Sequence, residues 1–232
     1  MTADQMISVT GEYFDPPSTG ETVDDTMAFE AGKVPRSVDA PRDCSALRQS
    51  LRAQGGYDSG LSYIQVEITA KAPVDIQVKT LRPRLLSERA PTHVVPISCI
   101  PKPGKEESPL PESAFIVLTD EPRPTDIPLD WLQRTPTSGG EFRLSRGGSI
   151  RLQPGEEAAI RITATQGHSD LDWELLVGLM VNGVRREIPV RHGGEPFHYA
   201  PSSAEAGFLW HEAHPGLGLA PDHLGFFTEP AN

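Results

Sequence analysis

Residues 172–191 read DWELLVGLMVNGVRREIPVR, and this stretch decides the fold. Two runs of β-forming residues, Trp173 to Val181 and Val184 to Val190, flank Asn182-Gly183, the pair that most readily takes positive φ at both central positions of a type I′ turn. In the first run both alternating sets are largely apolar: Trp173, Leu175, Val177, Leu179 and Val181 on one side, Leu176, Gly178 and Met180 on the other. That pattern predicts a strand covered on both faces, at the centre of a sheet. In the second run Val184, Ile188 and Val190 share a parity with Arg186, while Arg185 and Glu187 point the other way. Pro189 cannot donate to a ladder, so this partner belongs at or near a sheet edge.

Working outward, short strands recur. Ile64, Val66 and Ile68 alternate with Gln65, Glu67 and Thr69; Val74, Ile76 and Val78 alternate with Asp75, Gln77 and Lys79. The two segments are expected to form a half-buried antiparallel pair. Leu81 to Leu86 can continue the second despite Pro83, and Val94 to Ile100, Ala114 to Leu118 and Ala158 to Ala164 supply further strands. Arg146-Gly147-Gly148-Ser149 is another hairpin candidate. A helix is predicted only over 43–54, where Asp43 is a plausible N-cap, Leu47 and Leu51 fall at i and i+4, and Gly55-Gly56 stops it.

Many strands with turn signals between them, and no βαβ alternation, predict an all-β chain. The expected architecture is an antiparallel β-sandwich, immunoglobulin-like or jelly-roll-like, with one short N-terminal helix and irregular tails. Residues 1–40 read as an extended acidic arm, 41–199 as the sandwich domain, and 200–232 as an irregular tail rich in aromatics and histidine.

Composition narrows the partners. The formal net charge is −11, and residues 1–60 carry 5 basic and 10 acidic side chains while 191–232 carry 1 and 5, so the acidity lies in the ends. With no Lys/Arg stripe, nucleic acid and anionic membrane surfaces are not expected partners; a protein partner is. No apolar run is long enough to span a bilayer and no signal segment opens the chain, which suggests either a cytoplasmic protein or an excised soluble part. Cys44 and Cys99 leave two readings open, a bridge closing a loop of about 55 residues or two buried free thiols.

Three segments carry a resemblance: LRAQGGYDSGLSYIQVEITAKAPVDIQVKTLRPRLL at 51–86, SIRLQPGEEAAIRITA at 149–164, and WELLVGLMVNGVRREIPVRHGGEPFHY at 173–199. Their order resembles a family of uncharacterised Streptomyces-type actinobacterial hypothetical proteins, in which a β-rich domain often follows an N-terminal membrane segment. The resemblance spans roughly 27–210 and rests on packing and turn motifs, so it implies a domain type and carries no catalytic residues. It further implies an extracytoplasmic or membrane-anchored location and thereby favours a Cys44–Cys99 disulfide.

Five of the seven histidines lie in the last 41 residues. His192, His198, His211, Glu212 and His214 are therefore the candidate metal ligands, although Trp210-His211-Glu212-Ala213-His214 lacks the spacing that puts two imidazoles on one helix face. Asp170, Asp172 and Glu174 could together hold a cation, and Arg82, Arg84 and Arg89 form a basic group that could hold the acidic arm. Trp131, Tyr199 and Trp210 are candidate stacking platforms for a small ligand or carbohydrate. No nucleophile elbow or phosphate loop occurs, no catalytic residue is assigned and no cofactor is expected. The expectation is a non-enzymatic interaction domain of the cell envelope; the alternatives are a metal-dependent enzyme built on the C-terminal histidines and a small-ligand or carbohydrate module.

Overall fold

The computed structural model describes residues 2–14, 26–30, 32–35, 42–90, 94–100, 114–118, 150–165, 169–201, 207–211 and 220–221. After a single helical turn, α1 (Ala3–Met6), come β1 (Ile7–Tyr13), β2 (Thr26–Glu30), helix α2 (Cys44–Ala53), β3 (Tyr57–Ser59), β4 (Leu61–Ala70), β5 (Val74–Arg89) and β6 (Val94–Ile100). The chain continues with β7 (Ala114–Val117), β8 (Ile150–Leu152), β9 (Glu157–Thr165), β10 (Asp170–Val181), β11 (Val184–Val190), β12 (Phe197–Ala200), β13 (Phe208–His211) and β14 (Ala220–Pro221). The chain is all-β and sandwich-like: a four-stranded sheet, β1-β4-β9-β7, and a ten-stranded one, β14-β13-β6-β2-β3-β12-β10-β5-β8 with β11 also paired to β10.

The Asn182-Gly183 turn has φ of 48° and 79°, as a type I′ hairpin requires. Asn182 also ties the turn to β5: its amide donates to Asp75 O and its Oδ1 accepts from Asp75 N, both at 2.9 Å. Strand β10 is the spine of the larger sheet, with β5 along one edge and β11 and β12 sharing the other. Its odd residues, Trp173 to Val181, are buried in a core with Ile64, Val66 and Ile68 of β4 and Ile160 and Ile162 of β9. Removing that apolar area from water is the main term holding the two layers together.

Strands β4 and β5 do not pair with each other. β4 lies between β1 and β9 in the small sheet, while β5 pairs with β10 and β8 in the large one. The corner satisfies its backbone elsewhere, Lys71 N donating to Met6 O and Ala70 N to Glu156 O. Lys71-Ala72-Pro73 offers no residue suited to a primed two-residue turn, so the chain crosses between layers and the two apolar rows face each other across the core.

The segments assigned to an arm and a tail supply strands: β1 and β2 from the first 40 residues, β13 and β14 from the last 33. Both sheets are mixed, because β12 runs parallel to β3, β13 to β6 and β7 to β9. The antiparallel expectation rests on adjacent strands joined by turns, whereas these pairs join segments far apart in sequence.

Helix α2 starts as predicted, Asp43 Oδ1 accepting from Ala46 N at 2.9 Å. It packs Leu47 and Leu51 against Met27, Phe29, Ile97 and Trp210, forming a second, smaller core. Cys44 and Cys99 are joined in this core by a disulfide, with Cα atoms 5.6 Å apart across 55 residues of sequence. Beneath the helix, Asp58 is fully buried and binds Arg52 at 2.7 Å, Arg48 at 3.2 Å and Ser62 Oγ at 2.7 Å. Arg52 lies over the Tyr13 ring at 4.3 Å, which links the helix to β1.

Candidate functional site

Strand β5 changes parity twice, and this creates the site. Val74, Ile76 and Val78 face the core, but the register shifts between Gly178 and Leu179 of β10, after which Leu81, Pro83 and Leu85 oppose Val177, Leu175 and Trp173. A second shift, between Asp172 and Trp173, leaves Leu86 as the extra residue; Ser87 then opposes Asp172 and Arg89 opposes Asp170. Such a bulge puts two residues opposite one and reverses which face the following side chains occupy. Ser87 and Arg89 are thereby turned out of the core row onto the face that carries Asp170 and Asp172.

On the other edge of β10, His198 of β12 also opposes Asp172. Three adjacent strands therefore deliver one ionic cluster. The imidazole Nδ1 of His198 lies 2.7 Å from Asp172 Oδ1 and its Nε2 3.2 Å from Asp170 Oδ1. Arg89 Nη2 reaches Asp170 Oδ1 at 3.2 Å, Asp172 Oδ1 at 3.3 Å and His198 Nδ1 at 3.3 Å. Ser87 Oγ donates to Asp172 Oδ2 at 2.6 Å.

Burial pushes the Asp172 carboxyl up, but the hydrogen bonds from Ser87 and His198 and the charges of His198 and Arg89 outweigh it and hold it below the usual carboxylate range. Behind the cluster, the backbone N–H of His198 donates to Tyr13 Oη at 3.0 Å. Desolvation by burial, reinforced by the Asp58 charge, drives the Tyr13 phenol far above its ordinary value, so it stays neutral.

The cluster forms one wall of an open cleft of about 440 Å³, completed by Glu30, Lys33, Gly55, Gly56, Tyr57 and Tyr13. Gly56 is required here, because a Cβ would lie 2.7 Å from the Phe29 ring. Tyr57 stands edge-on to the His198 ring with centroids 4.2 Å apart. At the rim Lys33 Nζ binds Glu30 Oε2 at 2.6 Å. This hydrogen bond, with the Lys33 charge and smaller contributions from Arg89 and His198, lowers the Glu30 carboxyl.

The residues singled out in the sequence are placed as follows. His198 is in the cleft, held by two carboxylates; His192 is exposed and its ring lies 4.9 Å from that of Tyr13. Among the described residues no group of three His, Cys, Asp or Glu side chains could hold a metal. Glu212 and His214 lie outside the described residues, as do Trp131 and the hairpin candidate at 146–149, and for His211 only the backbone is described. Tyr199 and Trp210 are not stacking platforms: they are 0% and 1% exposed, Tyr199 in the main core with its hydroxyl donating to Gly60 O, Trp210 in the small one.

Asp170, Asp172 and Glu174 do not converge on one cation. Glu174 is fully buried and is held instead by Arg84 and by Arg191 Nε, the latter at 2.6 Å. Arg82 binds Glu187 at 2.8 Å, so the three arginines of β5 neutralise carboxylates of β10 and β11. Ser87 and Tyr57 were not legible as site residues, and Arg89 was legible only as one of a basic group with Arg82 and Arg84. Two aspartates opening an otherwise apolar strand were the available signal.

The class that fold and site define is an all-β sandwich domain with a mixed-charge cleft at one end of its central strand. No family model, curated protein or solved structure matches this chain.

Proposed function

We propose that this chain is a non-enzymatic binding domain of the cell envelope that engages a protein partner through the cleft around Arg89 and His198. One observation carries the reading: Asp172 stands between Ser87 and His198, so the serine hydroxyl donates to the carboxylate and not to the imidazole. A hydrolytic triad needs the opposite order, with the base between the nucleophile and the acid. Locked in mutual pairs, these groups form a fixed polar surface, which suits recognition because little side-chain ordering is left to pay for. The Cys44–Cys99 bridge supports an oxidising compartment, in line with the resemblance.

The test is site-specific photo-crosslinking in the native envelope. p-Benzoylphenylalanine at Lys33, on the cleft rim, is expected to give a discrete adduct; at Arg185, on the far hairpin, it should give none. Equal adducts from both positions, or none from either, would overturn the proposal.

A second reading, a small-ligand module, is favoured by the size of the cleft, which falls in the range of small-molecule sites, roughly 300–1,000 Å³.

A further inference from the structure

The cleft holds a guanidinium that is anchored on one side only. Arg89 uses Nη2 for all three of its contacts, while Nε and Nη1 have no partner among the described residues, and the side chain is half exposed. Both paired edges of a guanidinium run through Nη2, which the two aspartates already engage, so Nε and Nη1 offer separate single N–H donors to an anion.

An anion alone fits the rest of the lining poorly. Asp170, Asp172 and Glu30 bring three negative charges, against Arg89, Lys33 and, when protonated, His198. Asp170 is nearly buried and Asp172 partly so, whereas Glu30 is 53% exposed and is bound by Lys33 through Oε2 at the rim. Tyr57 and His198 add an aromatic wall between these charges. A lining with open guanidinium N–H donors, a carboxylate at the rim and an aromatic ring matches a ligand that carries both signs of charge.

We propose that the cleft binds a zwitterionic small molecule of the α-amino-acid class, its carboxylate on the open N–H donors of Arg89, its ammonium toward Glu30 and its side chain against Tyr57. The proposal rests on reading the cleft as a binding site and names the ligand of the small-molecule reading. It requires no covalent step. The ring wall favours an aromatic or large apolar side chain.

Titration calorimetry at neutral pH on the full chain tests it with phenylalanine, phenylalaninamide, N-acetylphenylalanine and methyl glucoside as probes. Phenylalanine is expected to bind with a Kd at or below about 1 mM, and loss of either charge to weaken it about tenfold or more. Glu30→Gln, at an exposed position, should weaken phenylalanine and leave N-acetylphenylalanine unchanged; Arg89→Gln, with its fold checked by near-UV circular dichroism, should weaken phenylalanine and leave phenylalaninamide unchanged. No saturation by phenylalanine up to about 10 mM, or equal binding of all three phenylalanine derivatives, would overturn the proposal, and so would binding of the glucoside alone. A negative result here with a cleft-specific adduct from position 33 would remove the amino-acid ligand and leave the protein-binding reading standing; failure of both would remove the cleft as a site.

Discussion

His198 Nδ1 lies 2.7 Å from Asp172 Oδ1, and the two residues face each other directly across the β10–β12 pair. Strand β12 enters the large sheet through only three such positions on β10, so this contact contributes to holding it in register.

The Asp172 carboxyl titrates lower in the folded chain than its ordinary value. Its contribution to stability is therefore complete above the unfolded pKa, about 3.9, and is lost as pH falls through the folded value. Denaturant midpoints measured from pH 5 down to pH 2 should decline for the native chain. Asp172→Asn should be less stable at pH 5 and show a shallower decline; an unchanged slope would remove Asp172 from the acid limb.

Asp58 is buried with two arginines, Arg48 at 1% and Arg52 at 15% side-chain exposure. Asp58→Ala removes the buried carboxylate that these two guanidinium groups share and is expected to destabilise by about 3–5 kcal/mol. Arg48→Met in the same background should recover part of that loss. Both follow from urea unfolding curves.

Reduction, or Cys44→Ser with Cys99→Ser, should lower stability by about 4 kcal/mol, the chain-entropy value for a 55-residue loop. Trp210 stands opposite Cys99 in the β6–β13 register and packs in the same small core, so its fluorescence should change on reduction. Intact mass under non-reducing conditions checks the bridge; two alkylatable thiols in oxidised protein would contradict it.

At the first parity change of β5, a Cβ on Gly178 would lie 2.1 Å from Thr80 Oγ1. Gly178→Ala is expected to cost about 1–3 kcal/mol through overpacking. Thr80→Ala should cost less and should rescue Gly178→Ala in a double-mutant cycle, since the clash is with that one side chain.

Several elements were legible because their signals are local. Asn182-Gly183 specifies its turn through the positive φ both residues tolerate, and the cap Asp43 with the Leu47–Leu51 pair specifies α2. The alternation in β4 and β9 marks which residues are buried, and the two apolar sets of β10 mark a strand covered on both faces. Candidate site residues fared differently: His198 lies in the cleft, but Tyr199 beside it is core, and nothing in the local sequence separates the two.

The sequence by itself determined the central strands β4, β5, β9 and β10, helix α2, the hairpin and their apolar faces, since each depends on propensity and periodicity within a few residues. Tertiary structure alone decided that β4 and β5 belong to different layers, that β12 and β13 return to run parallel to earlier strands, and that Ser87 and Arg89 leave the core row. The physical reason is that period 2 assigns faces only while pairing is regular. A bulge reverses the assignment, and the register that places it is set by hydrogen bonds to a strand some 85 residues away in sequence.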